Sequence, residues 1–221
     1  MTDTIITVQG EFEIRHPAEL GTVTLTIGFD GTKREDVVAK ANRELDSIST
    51  QLRDLEDTTN GPVTWRSVDQ LRVWGSRPFS AEGKQLAMVH HAQVDVAARF
   101  RDLNWLAEWV GTVSLVSGVT VNGIEWTLTD AKRQTLTQEA RRRAVENAVA
   151  KATVYATSLG LSTVRPLALS DPGMLGDSAS AVQSTPMLMS SRVSGDHHEG
   201  GPALRPDDIA IHIQVDRKSV V

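Results

Sequence analysis

Between residues 131 and 159 the side chains Leu136, Ala140, Ala144, Ala148, Ala152 and Ala156 recur at every fourth position, and Gly160 follows Leu159. A four-residue repeat sustained this long predicts an α-helix, alanine being the strongest helix former. The stripe of small side chains also lets such a helix lie close to its neighbour. Gly160 supplies the stop, since glycine takes the left-handed backbone that ends many helices. The opposite face carries Glu139, Arg142, Arg143 and Glu146 in two Glu/Arg pairs four residues apart, the pattern of a face in water.

Around this helix the chain alternates with the period of strands. Ile6, Val8, Gly10, Phe12 and Ile14 interleave with Thr7, Gln9, Glu11 and Glu13, and Val23, Leu25, Ile27 and Phe29 interleave with Thr24, Thr26 and Gly28, so each segment has one buried face. The short polar break His16-Pro17-Ala18-Glu19 predicts that the two form an antiparallel hairpin. Thr32-Lys33-Arg34-Glu35 has the form of a capping box. It opens a helix over about 33–56, whose apolar side is Val37 or Val38, Ala41, Leu45, Ile48, Leu52 and Leu55. A second strand pair follows, about 63–75 and 85–101, with 76–83 as the turn and Leu86, Met88, His90, Ala92, Val94, Val96, Ala98 and Phe100 on one face.

Asp102 is placed to cap a short helix lined by Leu103, Leu106, Ala107, Val110 and Val113. In the next strand, 119–129, the apolar phase slips by one residue around Asn122-Gly123, which predicts either a β-bulge or a simple turn. A short strand at about 164–169 and a final strand through Ile209, Ile211, Ile213 and Val215 complete the pattern. Residues 171–205 are rich in Gly, Ser, Pro and Met and lack periodicity, so a flexible loop is expected there. The reading is a single α+β domain over 1–221: antiparallel strands in hairpins, packed with two long amphipathic helices and one short helix.

Composition narrows the function classes. The 221 residues include no cysteine, which removes disulfides, thiolate metal sites and cysteine nucleophiles. Lys and Arg number 23 against 28 Asp and Glu, a formal charge of -5, and this argues against nucleic acid as the main partner. No run approaches the roughly 18 apolar residues of a membrane span. The N-terminal residues lack the basic and apolar regions of a secretory leader. A cytoplasmic location is therefore expected, or a periplasmic or secreted one if a leader preceded Met1.

The order strand, strand, helix, strand, strand, short helix, strand, alanine-rich helix, long loop, final strand resembles the SIMPL domain family. The residues that carry the resemblance are Val8-Gln9-Gly10-Glu11 with Pro17, then Gly118-Val119-Thr120-Val121 leading to Trp126-Thr127-Leu128-Thr129-Asp130, and above all the Ala140 to Gly160 helix. They span nearly the whole chain. The resemblance implies an α+β fold and bacterial relatives of mostly uncharacterised function. It further implies periplasmic or surface-associated relatives such as outer-membrane immunogenic proteins, links to oxidative stress in some, and ring-shaped or channel-like homo-oligomers in others. It brings no catalytic motif and no cofactor.

Candidate chemistry is sparse. His197, His198 and Glu199, after Asp196, are metal-ligand types. Adjacent histidines in a glycine-rich loop seldom turn both nitrogens to one ion, so a solvated loop is the expectation, with no metal and no cofactor. His90 and His91 occupy successive strand positions and point to opposite faces; His90 is expected to be a hydrogen-bonded core residue and His91 to lie at the surface. His16 and His212 have no neighbouring triad pattern. Arg141, Arg142 and Arg143 suit phosphate or an acidic partner or, more simply, water. Met187 and Met189, with Met174, suit an adaptable docking or oxidation-prone segment or, more simply, an untethered loop whose methionines have no role.

No nucleotide-binding, nucleophile-elbow or zinc-protease motif occurs. The functional expectation is a non-enzymatic, self-associating binding or scaffold protein with stress-linked relatives. The alternative is a small-ligand binder or an enzyme whose pocket is assembled from scattered polar residues.

Overall fold

A computed structural model of the protein describes residues 4–57, 59–79, 85–175, 204 and 206–221. In chain order its elements are β1 (Ile5–His16), β2 (Leu20–Gly31), α1 (Arg34–Leu55), β3 (Val63–Val68), β4 (Arg72–Ser76), β5 (Val89–Phe100), α2 (Leu103–Val113), β6 (Val119–Thr127), α3 (Asp130–Ser158), β7 (Arg165–Ser170) and β8 (Ile209–Val220). All strand pairing is antiparallel, so the fold is α+β. The described residues form two compact units, one within Pro17–Thr129 and Gly200–Asp207, the other within Met1–His16, Asp130–Glu199 and Asp208–Val221.

The second of these units is a three-stranded sheet, ordered β1-β8-β7, with α3 on one face. Ala140, Ala144, Ala148, Ala152 and Ala156 are all buried, and the last four pack with Ile6, Val8 and Val215. The small-residue stripe sets the separation. A side-chain carbon placed on Gly10 would fall 2.1 Å from the Ala144 carbonyl oxygen, so glycine is required where strand and helix backbones meet. Gly160 ends α3 with φ +74°, and Leu161 N–H donates to the Ala156 carbonyl, satisfying an end carbonyl of the helix.

The other unit is a five-stranded sheet in which β2 lies between β5 and β6, while β3 and β4 pair in succession along the far side of β5. Helices α1 and α2 cover one face. Ile48 and Leu52 from α1 and Leu106, Trp109, Val110 and Val113 from α2 meet Val23, Leu25, Ile27, Val94, Val96, Ala98 and Phe100 in the core. Full burial of each large side chain contributes roughly 1.5–3 kcal/mol. Asp102 caps α2, accepting from the backbone N–H groups of Asn104 at 3.0 Å and Trp105 at 3.1 Å.

Several expectations are corrected. β1 and β2 do not form a hairpin: β1 pairs with β8, and β2 is flanked by β5 and β6. Alternation fixes which face of a strand is buried, not which neighbour it takes, and both sides of β2 are filled by other strands. The capping box is not formed. Lys33 is the N-cap and makes no side-chain cap, which leaves Thr32 one position too early for its hydroxyl to reach the first turn. The expected strand over 63–75 is interrupted between Val68 and Arg72, and the next begins at Val89, not Gln85.

At Asn122 the bulge wins over the turn. Thr24 pairs with Gly123 and Leu25 with Val121, leaving Asn122 as the extra residue, with its amide donating to Thr26 Oγ1 at 2.9 Å. Of the expected loop, residues 176–203 and 205 lie outside the described residues.

Candidate functional site

In β5 the buried phase is Ala92, Val94, Val96, Ala98 and Phe100, so His91, Gln93, Asp95 and Arg99 point to the face of the five-stranded sheet opposite α1 and α2. Register then decides their neighbours. Thr22, Thr26 and Asp30 of β2 stand beside Arg99, Asp95 and His91. On the other side, Trp65 of β3 stands beside Arg99 and Trp74 of β4 beside His91. This face is therefore polar with two indoles, each about two-fifths exposed.

The polar groups are bonded to one another. Asp95 accepts from Thr26 Oγ1 at 2.5 Å and from Arg72 Nη2 at 2.9 Å. Arg99 lies over the Trp65 ring, 5.5 Å from its centroid, a cation–π contact.

His91 is held from three directions. Its Nδ1 lies 2.6 Å from Asp30 Oδ1, its Nε2 lies 2.7 Å from Ser76 Oγ, and the Trp74 ring stacks on it with centroids 5.1 Å apart and planes 16° apart. An ionised carboxylate only accepts, so the Nδ1 proton is donated to Asp30. In the neutral ring Nε2 is then the acceptor for the Ser76 hydroxyl. The imidazole side chain is 22% exposed and that of Asp30 70%, while Ser76 is exposed. The order carboxylate, imidazole, hydroxyl is the one in which an imidazole can take a hydroxyl proton and the carboxylate can steady the resulting charge.

The sequence places His91 on the face opposite His90, as found, but the ring is largely covered there and not fully at the surface, and Asp30 and Ser76 were missed. They lie 61 and 15 residues away, and the only available signal was that all three fall on the polar phase of their strands. His90 does face the apolar side, yet its Nδ1 is buried and has no hydrogen-bond partner, against the expectation of a bonded core histidine. Among the described residues no donor or acceptor reaches that atom.

The same unit has an open cleft of about 450 Å³, lined by residues that include Asn60, Arg101, Asp102 and Trp105. Its ionisable groups have structural partners: Arg101 Nη1 donates to the Thr59 carbonyl at 2.6 Å, and Asp102 caps α2.

In the unit built on α3, Arg141, Arg142 and Arg143 are all exposed. Arg142 donates to Glu139 and Glu146, and Arg143 Nε donates to Glu139 at 3.0 Å, the solvated, internally paired face that the spacing predicts. Arg142 first, and Arg143 after it, hold the Glu139 carboxyl below the usual glutamate range. His197, His198, Glu199, Met187 and Met189 lie outside the described residues. Among the described residues no cluster of three His, Asp or Glu side chains could hold a metal ion, and no helix is long and apolar enough to cross a membrane.

The two outer strands of the three-stranded sheet differ in chemistry. On β1, Glu11 N–H donates to Asn147 Oδ1 at 3.2 Å and the Gln9 carbonyl accepts from Lys151 Nζ at 3.1 Å. Side chains of α3 thus occupy backbone groups on its outer side, among the charges of Glu11, Glu13 and Arg15. On β7 no described side chain does the same, and Leu167 and Leu169 are 55% and 53% exposed.

The molecule is thus an α+β protein of antiparallel sheets, with helices on one face of each and its polar chemistry displayed on strand faces and edges. The chain belongs to the SIMPL family, described as a protein of unknown function (DUF541), whose model matches residues 6–217. A search of the curated proteins finds no match.

Proposed function

We infer that the protein is a self-associating binding protein and that a second copy of the chain docks on the outer edge of β7. The carrying observation is the contrast between the two edges of the three-stranded sheet. Unpaired strand backbones are templates for pairing with another chain, and charge or covering groups blunt them. β1 is blunted by Asn147, Lys151 and its own charges, whereas among the described residues no side chain covers the β7 backbone, and β7 carries two half-exposed leucines. Pro166 removes one donor at the start of β7, leaving the stretch from Leu167 to Ser170 for pairing. A binding role fits the family resemblance, and the stress link of some relatives is carried into the same reading.

Mass measurement by light scattering after size-exclusion chromatography tests it. The wild-type chain at micromolar concentration is expected as a defined oligomer, and the double variant Leu167→Lys, Leu169→Lys as a monomer with an unchanged circular dichroism spectrum. A wild-type monomer, or an oligomer indifferent to both lysines, overturns the reading. A second reading, ligand binding or catalysis by scattered polar residues, is favoured by the Asp30, His91 and Ser76 series.

A further inference from the structure

We propose that Ser76, His91 and Asp30 form a nucleophilic triad that transfers the acyl group of small carboxylic esters to water. Such a triad is independent of self-association and goes beyond it, because every group involved lies on the five-stranded sheet.

A serine hydroxyl is a weak nucleophile until a base removes its proton as it attacks. His91 Nε2 is 2.7 Å from Ser76 Oγ, within reach for that transfer. The carboxylate at Nδ1, 2.6 Å away, fixes the tautomer that leaves Nε2 free to accept. Trp74, stacked 5.1 Å from the imidazole, removes ring rotation as a competing freedom. Three strands hold these groups: Asp30 near the end of β2, His91 near the start of β5 and Ser76 at the end of β4. Residues on paired strands are positioned more firmly than residues on loops. A polar surface cluster whose only role was solubility would have no need of a carboxylate on one ring nitrogen and a hydroxyl on the other.

The chemistry balances with an ester and water alone. Ser76 Oγ bonds to the ester carbonyl carbon as its proton passes to His91 Nε2. The ester C–O bond then breaks, and the leaving alkoxide takes that proton to depart as an alcohol. Water attacks the acyl-serine, gives its proton to Nε2, and Ser76 Oγ leaves with it, releasing the carboxylic acid. Asp30 touches no reacting atom and acts as a positioning residue. The exposure of Ser76 on an open face, with one indole beside it, suits a small ester and not one that needs a deep acyl tunnel.

The test uses the full chain with a fluorophosphonate probe, peptide mapping of the labelled site, and hydrolysis of 4-nitrophenyl acetate. Ser76 is expected to be the labelled serine. His91→Ala is expected to lower the labelling and acylation rates roughly 100-fold while keeping the native circular dichroism spectrum. Asp30→Asn is expected to lower them by at least as much, because an amide facing Nδ1 favours the wrong tautomer, and Asp30→Glu to restore part of the loss, a rescue that a merely structural role would not give. Absence of label on Ser76 in the folded wild type overturns the triad, as does labelling that His91→Ala and Asp30→Asn both leave unchanged. The Leu167→Lys, Leu169→Lys variant is expected to retain the labelling, so failure of the association reading and failure of the triad are separate results.

Discussion

Gly10 of β1 faces Ala148 of α3 so closely that a side-chain carbon on the glycine would lie 2.6 Å from the alanine Cβ and 2.7 Å from its backbone nitrogen. The nearest atoms include helix backbone, which cannot swing aside as the end of a long side chain can. Gly10→Ala should therefore force strand and helix apart along the alanine stripe and cost roughly 1–3 kcal/mol or more, the range for overpacked cores. Chemical denaturation measures it. A variant as stable as wild type would mean that the helix does not sit this close to β1.

Arg217 and Ser219 give the opposite sign. They are 5% and 0% exposed, and among the described residues Arg217 Nη1 and Ser219 Oγ have no hydrogen-bond partner. Burying a guanidinium with a nitrogen left unsatisfied is costly, and apolar replacements of buried charged groups are often stabilising. Arg217→Met is expected to stabilise the protein by about 1–3 kcal/mol, seen as a rise in the thermal midpoint. A fall in that midpoint would show that the guanidinium supports the packing around it.

The Glu139 carboxyl sets an acid dependence. Its folded pKa lies below the ordinary value because of Arg142 and then Arg143, so its contribution to stability is fully present above the unfolded value of about 4.3 and is lost as pH falls through the depressed one. The group is exposed and the effect is reduced by salt. Glu139→Gln should lower the thermal midpoint at pH 7 in dilute buffer and make little difference at pH 2. A gap that persists at pH 2 would contradict the ion-pair origin.

Methionine oxidation offers a test of the stress link. Met174 is 74% exposed and Met88 42%, and sulfoxide formation follows access of the oxidant to sulfur. Mass spectrometry during mild peroxide treatment is expected to find Met174 oxidised ahead of Met88. Equal rates would remove Met174 as a special oxidation site.

How much was legible depended on whether the signal was local. The alanine period located α3 to within a residue at each end, the slip at Asn122-Gly123 marked the bulge, and Asp102 capped α2 as its position implied. Arg142 and Arg143 could be read as a solvated, self-paired face because their partners lie three and four residues away. Each of these is a relation along one helix turn or one strand.

Strand pairing was another matter. β1 takes β8, more than 190 residues along the sequence, and not the adjacent β2. The alternation of Ile6, Val8, Gly10 and Phe12 determined that one face would be buried and where a small residue would sit. Only the tertiary structure decided that Gly10 would meet Ala144 and Ala148, that β7 would keep its leucines on an outer strand, and that His91 would come within hydrogen-bond reach of both Asp30 and Ser76. The physical reason is that hydrophobic periodicity encodes direction, inward or outward, whereas register depends on backbone pairing between segments whose separation in sequence adds only a slowly growing loop-closure cost and so selects no partner.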